Sequence, residues 1–428
     1  MQDYELSTLP TGERLITEAV PSVRSVSLGF WIGAGSRDET DARAGVSHFI
    51  EHLLFKGSAR HSAQEIAEIF DGLGGELNAA TSRETTVVYA RVPDDRLETA
   101  LDVIVPMVYR PALADVDSER EVVLEEIAMV EDNPQDLVHD VVAEAIFGGH
   151  PLGRPVIGRA EVISSVGRRA LAAYHRNAYT AANIVVAAAG NLEHGRLERL
   201  LAERLPETDG GPRRERKPVT RRPAPGLRFQ RKPTEQYHVC LGAPGISRRD
   251  ERRFAASLLD AILGGSASSR LFQEIREKRG MAYSVYSFAS QYSDAGQIGL
   301  YVGTREENLV ECLEIAAQEL ADVAGGNVRP GELERAQENL KGRMLLSMES
   351  TSNRMSRLGR SLLTETELLS LDELIERIDA VGPDDVAALA GELLALEGLS
   401  AAGIGPSARR FKAAVERVNP ALAERAAA

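Results

Sequence analysis

The chain repeats a pattern at half its length. Val88-Tyr-Ala-Arg-Val-Pro-Asp-Asp-Arg-Leu97-Glu-Thr-Ala-Leu runs from an apolar strand-like stretch through an acidic turn into a helix start. Gly299-Leu-Tyr-Val-Gly-Thr-Arg-Glu-Glu-Asn-Leu309-Val-Glu-Cys-Leu does the same, so Leu309 answers Leu97 after 212 of the 428 residues. Strand-then-helix order repeated at that distance implies an α+β chain of two homologous domains. Each would be an antiparallel or mixed β-sheet with helices packed on one face. The boundary falls in Pro206 to Gly226, which holds Gly210, Gly211, Pro212, Pro218, Pro223 and Pro225 and six basic residues from Arg213 to Arg222. Such a stretch reads as a solvated linker, with a docking patch for an acidic partner as the sharper alternative. The expected division is 1–208, a linker over 209–226, and 227–428.

The two halves differ in one stretch, Gly45-Val-Ser-His48-Phe-Ile-Glu51-His52-Leu-Leu-Phe-Lys56-Gly57. On a helix, His48 and His52 lie four apart on one face and can bind one divalent ion. Glu51 can then reach a metal-bound water as a base. The order H-x-x-E-H inverts the commoner H-E-x-x-H and is itself a zinc-peptidase signature. The bland alternative is a buried amphipathic helix whose histidines pair with backbone or carboxylates. The corresponding helix of the second half, near Phe254 to Leu263, carries no histidine.

A third ligand should be a carboxylate on another helix. Asp117-Ser-Glu119-Arg-Glu121-Val-Val-Leu-Glu125-Glu126 opens with an N-cap-like Asp-Ser pair and has acids in its first turn. Glu119 and Glu126 are two turns apart on one face, whereas Glu125 lies about 100° from Glu126. In-line acids of this kind suit one ligand and one acceptor for a ligand imidazole, although a solvated acidic face has the same pattern. Further along, Ser62 to Leu73 reads as a helix with a Ser62/Glu65 capping box, stopped by Gly74-Gly75. Glu76–Ser82 and Thr85–Val92 read as a β-pair. His61, His139, His150, His175, His194 and His238 have no ligand spacing and read as surface or structural.

These motifs together resemble the pitrilysin/insulinase zinc peptidases, and among them the mitochondrial-processing-peptidase branch with its bacterial relatives. The likeness continues through Gly74-Gly-Glu-Leu-Asn78, His150-Pro-Leu-Gly-Arg-Pro-Val-Ile-Gly158, Asn183-Ile-Val-Val-Ala-Ala-Ala-Gly-Asn191 and Ser269-Arg-Leu-Phe-Gln-Glu-Ile-Arg276 to Tyr283. It implies one zinc ion per chain on His48, His52 and Glu126, with Glu51 as general base and Glu119 supporting a ligand imidazole. Arg276 and Tyr283 match the substrate-holding pair of the second half. Asn78 would touch a peptide added as a strand to a sheet edge. Asp136 and Asp140, four apart, match positions that receive a substrate arginine; a helix starting near Pro134 would favour acids there in any case.

The activity implied is a zinc metalloendopeptidase acting on peptides or presequence-like segments. A maturation peptidase for one peptide precursor shares that chemistry, and a non-catalytic structural or assembly subunit shares the fold. One-chain members are about twice this length, which implies a homodimer, or a heterodimer with an inactive homologue. The net charge of −14 argues against nucleic acid and suits basic peptides. Cys240 and Cys312 are too few for a disulfide framework, and a reducing compartment fits. The N-terminus lacks a secretory pattern, and the apolar runs near Val26–Ala34 and Ile184–Ala189 are too short to span a bilayer. A cytoplasmic location without membrane contact is therefore expected.

Overall fold

The uninterrupted apolar runs become the inner strands of two sheets. The computed structural model describes residues 4–206, 211, 213, 216, 218–220 and 223–425. Much of the linker expected over 209–226 (residues 209, 210, 212, 214, 215, 217, 221 and 222) lies outside the described residues. The first half contributes β1 (Glu5–Thr8), β2 (Arg14–Ala19), β3 (Ser25–Ile32), β4 (Glu76–Thr81), β5 (Thr86–Pro93) and β6 (Ile184–Gly190). They form one sheet in the order β1-β2-β6-β3-β5-β4, in which only β2 and β6 run parallel. Its helices are α1 (Val46–Leu54), α2 (Ala63–Leu73), α3 (Leu97–Tyr109), α4 (Val116–Asp132), α5 (Pro134–Phe147), α6 (Ala160–Ser165), α7 (Arg168–Ala178) and α8 (His194–Arg204).

The second half contributes β7 (Leu227–Arg231), β8 (Gln236–Gly245), β9 (Ala282–Gln291), β10 (Gly296–Arg305) and β11 (Ser400–Gly405), in the order β7-β11-β8-β10-β9. Here β7 and β11 are the parallel pair. Its helices are α9 (Arg253–Leu263), α10 (Leu309–Ala324), α11 (Glu332–Ser347), α12 (Thr351–Thr364), α13 (Leu371–Asp379), α14 (Pro383–Leu393), α15 (Ala408–Glu416) and α16 (Pro420–Arg425). The sequence echo is structural: α3 starts at Leu97 and α10 at Leu309, each after a short 3-10 turn. The α+β reading of two sheet-and-helix domains holds.

By contact the chain divides into two units, and each borrows from the other half. One comprises Met1–Ala128, Arg154–Lys217 and Leu345–Ser370; the other comprises Met129–Gly153, Pro218–Met344 and Leu371–Ala428. In the first unit, Val26, Leu28, Phe30 and Ile32 of β3 face the core beneath α1 and α3. Trp31 faces the other way, onto Met355 and Leu358 of α12. Both faces of the sheet are thus covered, where helices on one face alone were expected, because α12 returns from the second half to cover the other; β6 can therefore be apolar throughout its length, Ile-Val-Val-Ala-Ala-Ala-Gly. Gly359 of α12 lies against the Trp31 indole, where a Cβ would collide with the ring. In the second unit α5 plays the reciprocal part, laying Leu137, Val138, Val141 and Ile146 on Cys240, Tyr301, Ala402 and Ile404.

Local signals are realised with one shift. Ser62 caps α2, and the reciprocal Glu65 bond completes the capping box. The acidic helix starts at Val116 rather than at an Asp117 cap. Asp115, in a left-handed conformation at φ +54°, already accepts the Glu119 N–H through its carbonyl. Two basic residues of the linker dock on the first unit. Arg216 makes a two-pronged pair with Asp38 at 3.0 Å, and Arg213 reaches Glu365 and the Leu363 carbonyl. No helix among the described residues is long and apolar enough to cross a membrane.

Candidate metal centre

Helix α1 is short and mostly buried, and its N-terminus is capped from a distance. Gly45 sits at the cap with φ +96°, and a Cβ there would meet the Ile157 carbonyl at 2.7 Å. No side chain can therefore cap the helix locally. Glu39, six residues earlier, supplies the acceptors instead: the Gly45 N–H bonds one carboxylate oxygen at 2.7 Å and the Ser47 N–H the other at 2.6 Å. An anionic cap at a helix N-terminus also meets the positive end of the helix dipole. Burial nevertheless pushes the Glu39 carboxyl up to about 7, against those two bonds and the nearby Arg154.

With α1 anchored by Val46, Phe49, Ile50, Leu53 and Leu54, its two histidines share the opposite face. Their ring centroids are 4.6 Å apart. Glu126 of α4 brings one carboxylate oxygen to 3.6 Å from His48 Nε2 and 3.4 Å from His52 Nε2. Glu125 is exposed and stands outside the group. Among the described residues, His48, His52 and Glu126 form the one set of three that could hold a metal, with donor atoms within 4.8 Å of one another. Burial, then the neighbouring His52, lowers the His48 pKa to about 4, so that ring is a neutral donor at physiological pH. Two imidazoles and a carboxylate are a donor set that suits zinc.

Glu119 is 4% exposed and accepts from His52 Nδ1 at 2.9 Å, the arrangement expected of an acid that orients a ligand imidazole. Its second oxygen lies 2.6 Å from Lys56 Nζ. Glu51 projects from α1 with one buried carboxylate oxygen lacking any hydrogen-bond partner. Burial raises its pKa, opposed by hydrogen bonds from Thr81 at the end of β4. That strand is a sheet edge, so one side of its backbone is unpaired by the sheet. Asn78 stands exposed on it, beside a cleft of about 550 Å³ lined by Phe55, Ile66, Phe70, Leu77 and Tyr89.

Arg276 and Tyr283 lie together in the second unit. Arg276 is on a π-helical turn, Phe272–Glu277, with its guanidinium 4.5 Å from the Tyr283 ring centroid. Tyr283 is 79% exposed at the start of β9, an edge strand. Asp136 and Asp140 occupy the first turns of α5, with Asp136 exposed and bonded by Asn133 at 2.6 Å. The remaining histidines serve other contacts: His175 meets the Val108 carbonyl, His194 meets Thr17 and Ser7, and His139 meets Tyr286. Sequence reasoning missed Glu39, Thr81 and Lys56. Lys56 alone had a signal, its four-residue spacing from His52.

Known proteins resemble this chain in sequence and in fold. A family model described as insulinase (peptidase family M16) matches residues 14–160, and one described as the peptidase M16 inactive domain matches residues 165–340. An uncharacterised zinc protease of Streptomyces coelicolor is 43% identical over 91% of this chain and 86% of its own length. The chain belongs to the insulinase family, peptidase family M16. An uncharacterised zinc protease of Bacillus subtilis, 39% identical, is covered over 98% of its length and 94% of this chain. The fold is shared with a solved peptidase M16 inactive domain from Pseudomonas fluorescens, with a TM-score of 0.88, 24% identity and coverage of 95% of this chain and 98% of that one. A protease from Helicobacter pylori gives a TM-score of 0.88 at 21% identity, covering 94% of this chain and all of that one. Within this insulinase-family chain the two family models divide as the motifs do, with the metal set in the first half.

Proposed function

We propose that this insulinase-family protein is a zinc-dependent metalloendopeptidase with one ion per chain. The reading is carried by one juxtaposition: the His48, His52 and Glu126 set adjoins a buried, unpartnered carboxylate oxygen of Glu51. Zinc at such a site supplies a Lewis acid that polarises a carbonyl and acidifies water. His52 is held for ligation through Nε2, because Glu119 engages Nδ1. Glu51 is suited to accept a proton from water and return it to the leaving amine. Its raised pKa brings a carboxylate closer to neutral pH, where it exchanges protons more readily.

The unpaired side of β4 is suited to bind an extended peptide as a further strand, with Asn78 beside the peptide backbone. The neighbouring cleft, which Asp71 and Glu76 line together with the apolar side chains, would take one substrate side chain. Arg276 and Tyr283 present an exposed cation and phenol for substrate backbone and developing charge. Asp136 and Asp140 would form a basic-residue subsite. Two buried free cysteines accord with a reducing, cytoplasmic setting. The working form in this reading is a homodimer.

The test is metal analysis with a peptide-library cleavage assay, with and without chelator. His48→Ala, His52→Ala and Glu126→Ala should lose zinc, whereas Glu51→Gln should keep zinc and lose turnover. Glu125→Gln should retain activity. A wild-type protein that binds no zinc would leave a structural or assembly role, and turnover by Glu51→Gln would remove the assigned base.

A further inference from the structure

We propose that Lys56 is a positioning residue for the metal ligand His52, acting through Glu119. This rests on the zinc reading above. Lys56 follows His52 by four residues, so it extends the histidine face of α1 by one turn. Both side chains meet the same carboxylate of α4. Glu119 Oε1 is 2.9 Å from His52 Nδ1, and Glu119 Oε2 is 2.6 Å from Lys56 Nζ. The carboxylate plane is thus fixed at both oxygens. The Glu119 side chain is 6% exposed and the Lys56 side chain 34%, so the lysine reaches inward from the rim to a buried anion. A lysine just past a helix C-terminus is ordinarily explained by the helix dipole alone. Here the short contact to Glu119 gives it a second task.

The backbone holds the lysine in register with its partner. Gly57 turns the chain at φ +108°, a conformation that side-chain-bearing residues rarely adopt. Its carbonyl then accepts the Ala112 N–H at 2.9 Å, and the Ala59 N–H bonds the Arg110 carbonyl at 3.0 Å. Ser58 and Pro111 close an isolated bridge between the two segments. The residues after Lys56 are therefore stitched to those just before α4, which carries Glu119 three residues after its start at Val116. Without the lysine, Glu119 keeps His52 as its side chain's one polar partner among the described residues and gains freedom to rotate. His52 then loses the constraint that keeps Nε2 directed at Glu126.

Zinc affinity of the full chain, measured by competition with a chromophoric chelator at fixed pH, tests the relay without reference to turnover. Removing an outer partner of a ligand histidine typically weakens metal binding about 10- to 100-fold, so Glu119→Gln should fall in that range. Lys56→Met, one contact further out, should weaken zinc by about 3- to 10-fold, and Lys56→Arg should stay within about 2-fold of wild type. In the Glu119→Gln background, Lys56→Met should add less than about 2-fold, because the element it acts through is gone. A lysine that merely supported the fold would lower the apo protein's unfolding midpoint and add its full effect in both backgrounds. Unchanged affinity in Lys56→Met, or full additivity with Glu119→Gln, overturns the proposal. Absence of zinc binding by the wild-type chain would instead overturn the zinc reading itself.

Discussion

Glu39→Gln isolates the cost of burying the anion that caps the metal helix. The Glu39 carboxyl rises from 4.5 to about 7 on folding, with burial as the largest cause. The folded state therefore binds this proton more tightly than the unfolded chain does. The stability Glu39 gives is complete below about pH 4.5 and declines as pH rises to about 7, after which it is constant. Across that window the loss is about 3 kcal/mol, at roughly 1.4 kcal/mol per pH unit of displacement. Glutamine does not titrate. It also offers one acceptor to two N–H donors, so against the protonated wild type, at the acid end of the window, it should cost about 1–3 kcal/mol. The wild-type advantage over Glu39→Gln should therefore be largest near pH 5 and shrink by about 3 kcal/mol by pH 8. Urea unfolding of both metal-free proteins from pH 5 to 8 measures it, and titrations common to both, such as that of His48, cancel in the difference. Arg154 holds the Glu39 carbonyl at 2.7 Å and Asp41 at 3.0 Å in both proteins. A wild-type advantage that is flat with pH would refute the argument.

Gly359→Ala should destabilise the protein by about 1–3 kcal/mol, because the added methyl meets the Trp31 ring and α12 must lift from the sheet. Trp31 is the single tryptophan, so a red shift of its emission reports the displacement directly. The double variant Asp136→Asn, Asp140→Asn should slow cleavage of arginine-bearing peptides selectively. Exposed charge pairs are worth about 0–1 kcal/mol, so the selective loss should be no more than about 5-fold; equal losses on neutral peptides would remove the subsite. If the active form is a dimer in which Arg276 and Tyr283 serve the partner's metal site, mixing Glu51→Gln with an Arg276→Ala, Tyr283→Phe chain should restore roughly a quarter of wild-type activity. No recovery despite demonstrated subunit exchange would exclude such sharing.

The sequence by itself determined what local periodicity controls. Four-residue spacing placed His48 and His52 on one face, and seven-residue spacing aligned Glu119 with Glu126 while turning Glu125 outward. The Ser62 cap, the Gly74 stop and the paired strands around Arg83 were equally local and equally legible. The echo of Leu97 in Leu309 exposed the duplication, because each copy repeats the same strand-to-helix turn. Only the tertiary structure decided how these pieces are covered and held. Trp31 meets Met355 across 324 residues, and neither segment advertises the other, since an apolar face fits many partners. Glu39 is an acid in a polar loop until chain packing forbids a side chain at Gly45 and leaves two N–H groups for it to satisfy. Four-residue spacing puts Lys56 on the His52 face, but nothing local names its partner until α4 brings a buried carboxylate to it. Hydrogen-bond direction and desolvation act over a few ångströms, so residues remote in sequence gain these roles only once the fold has brought them together.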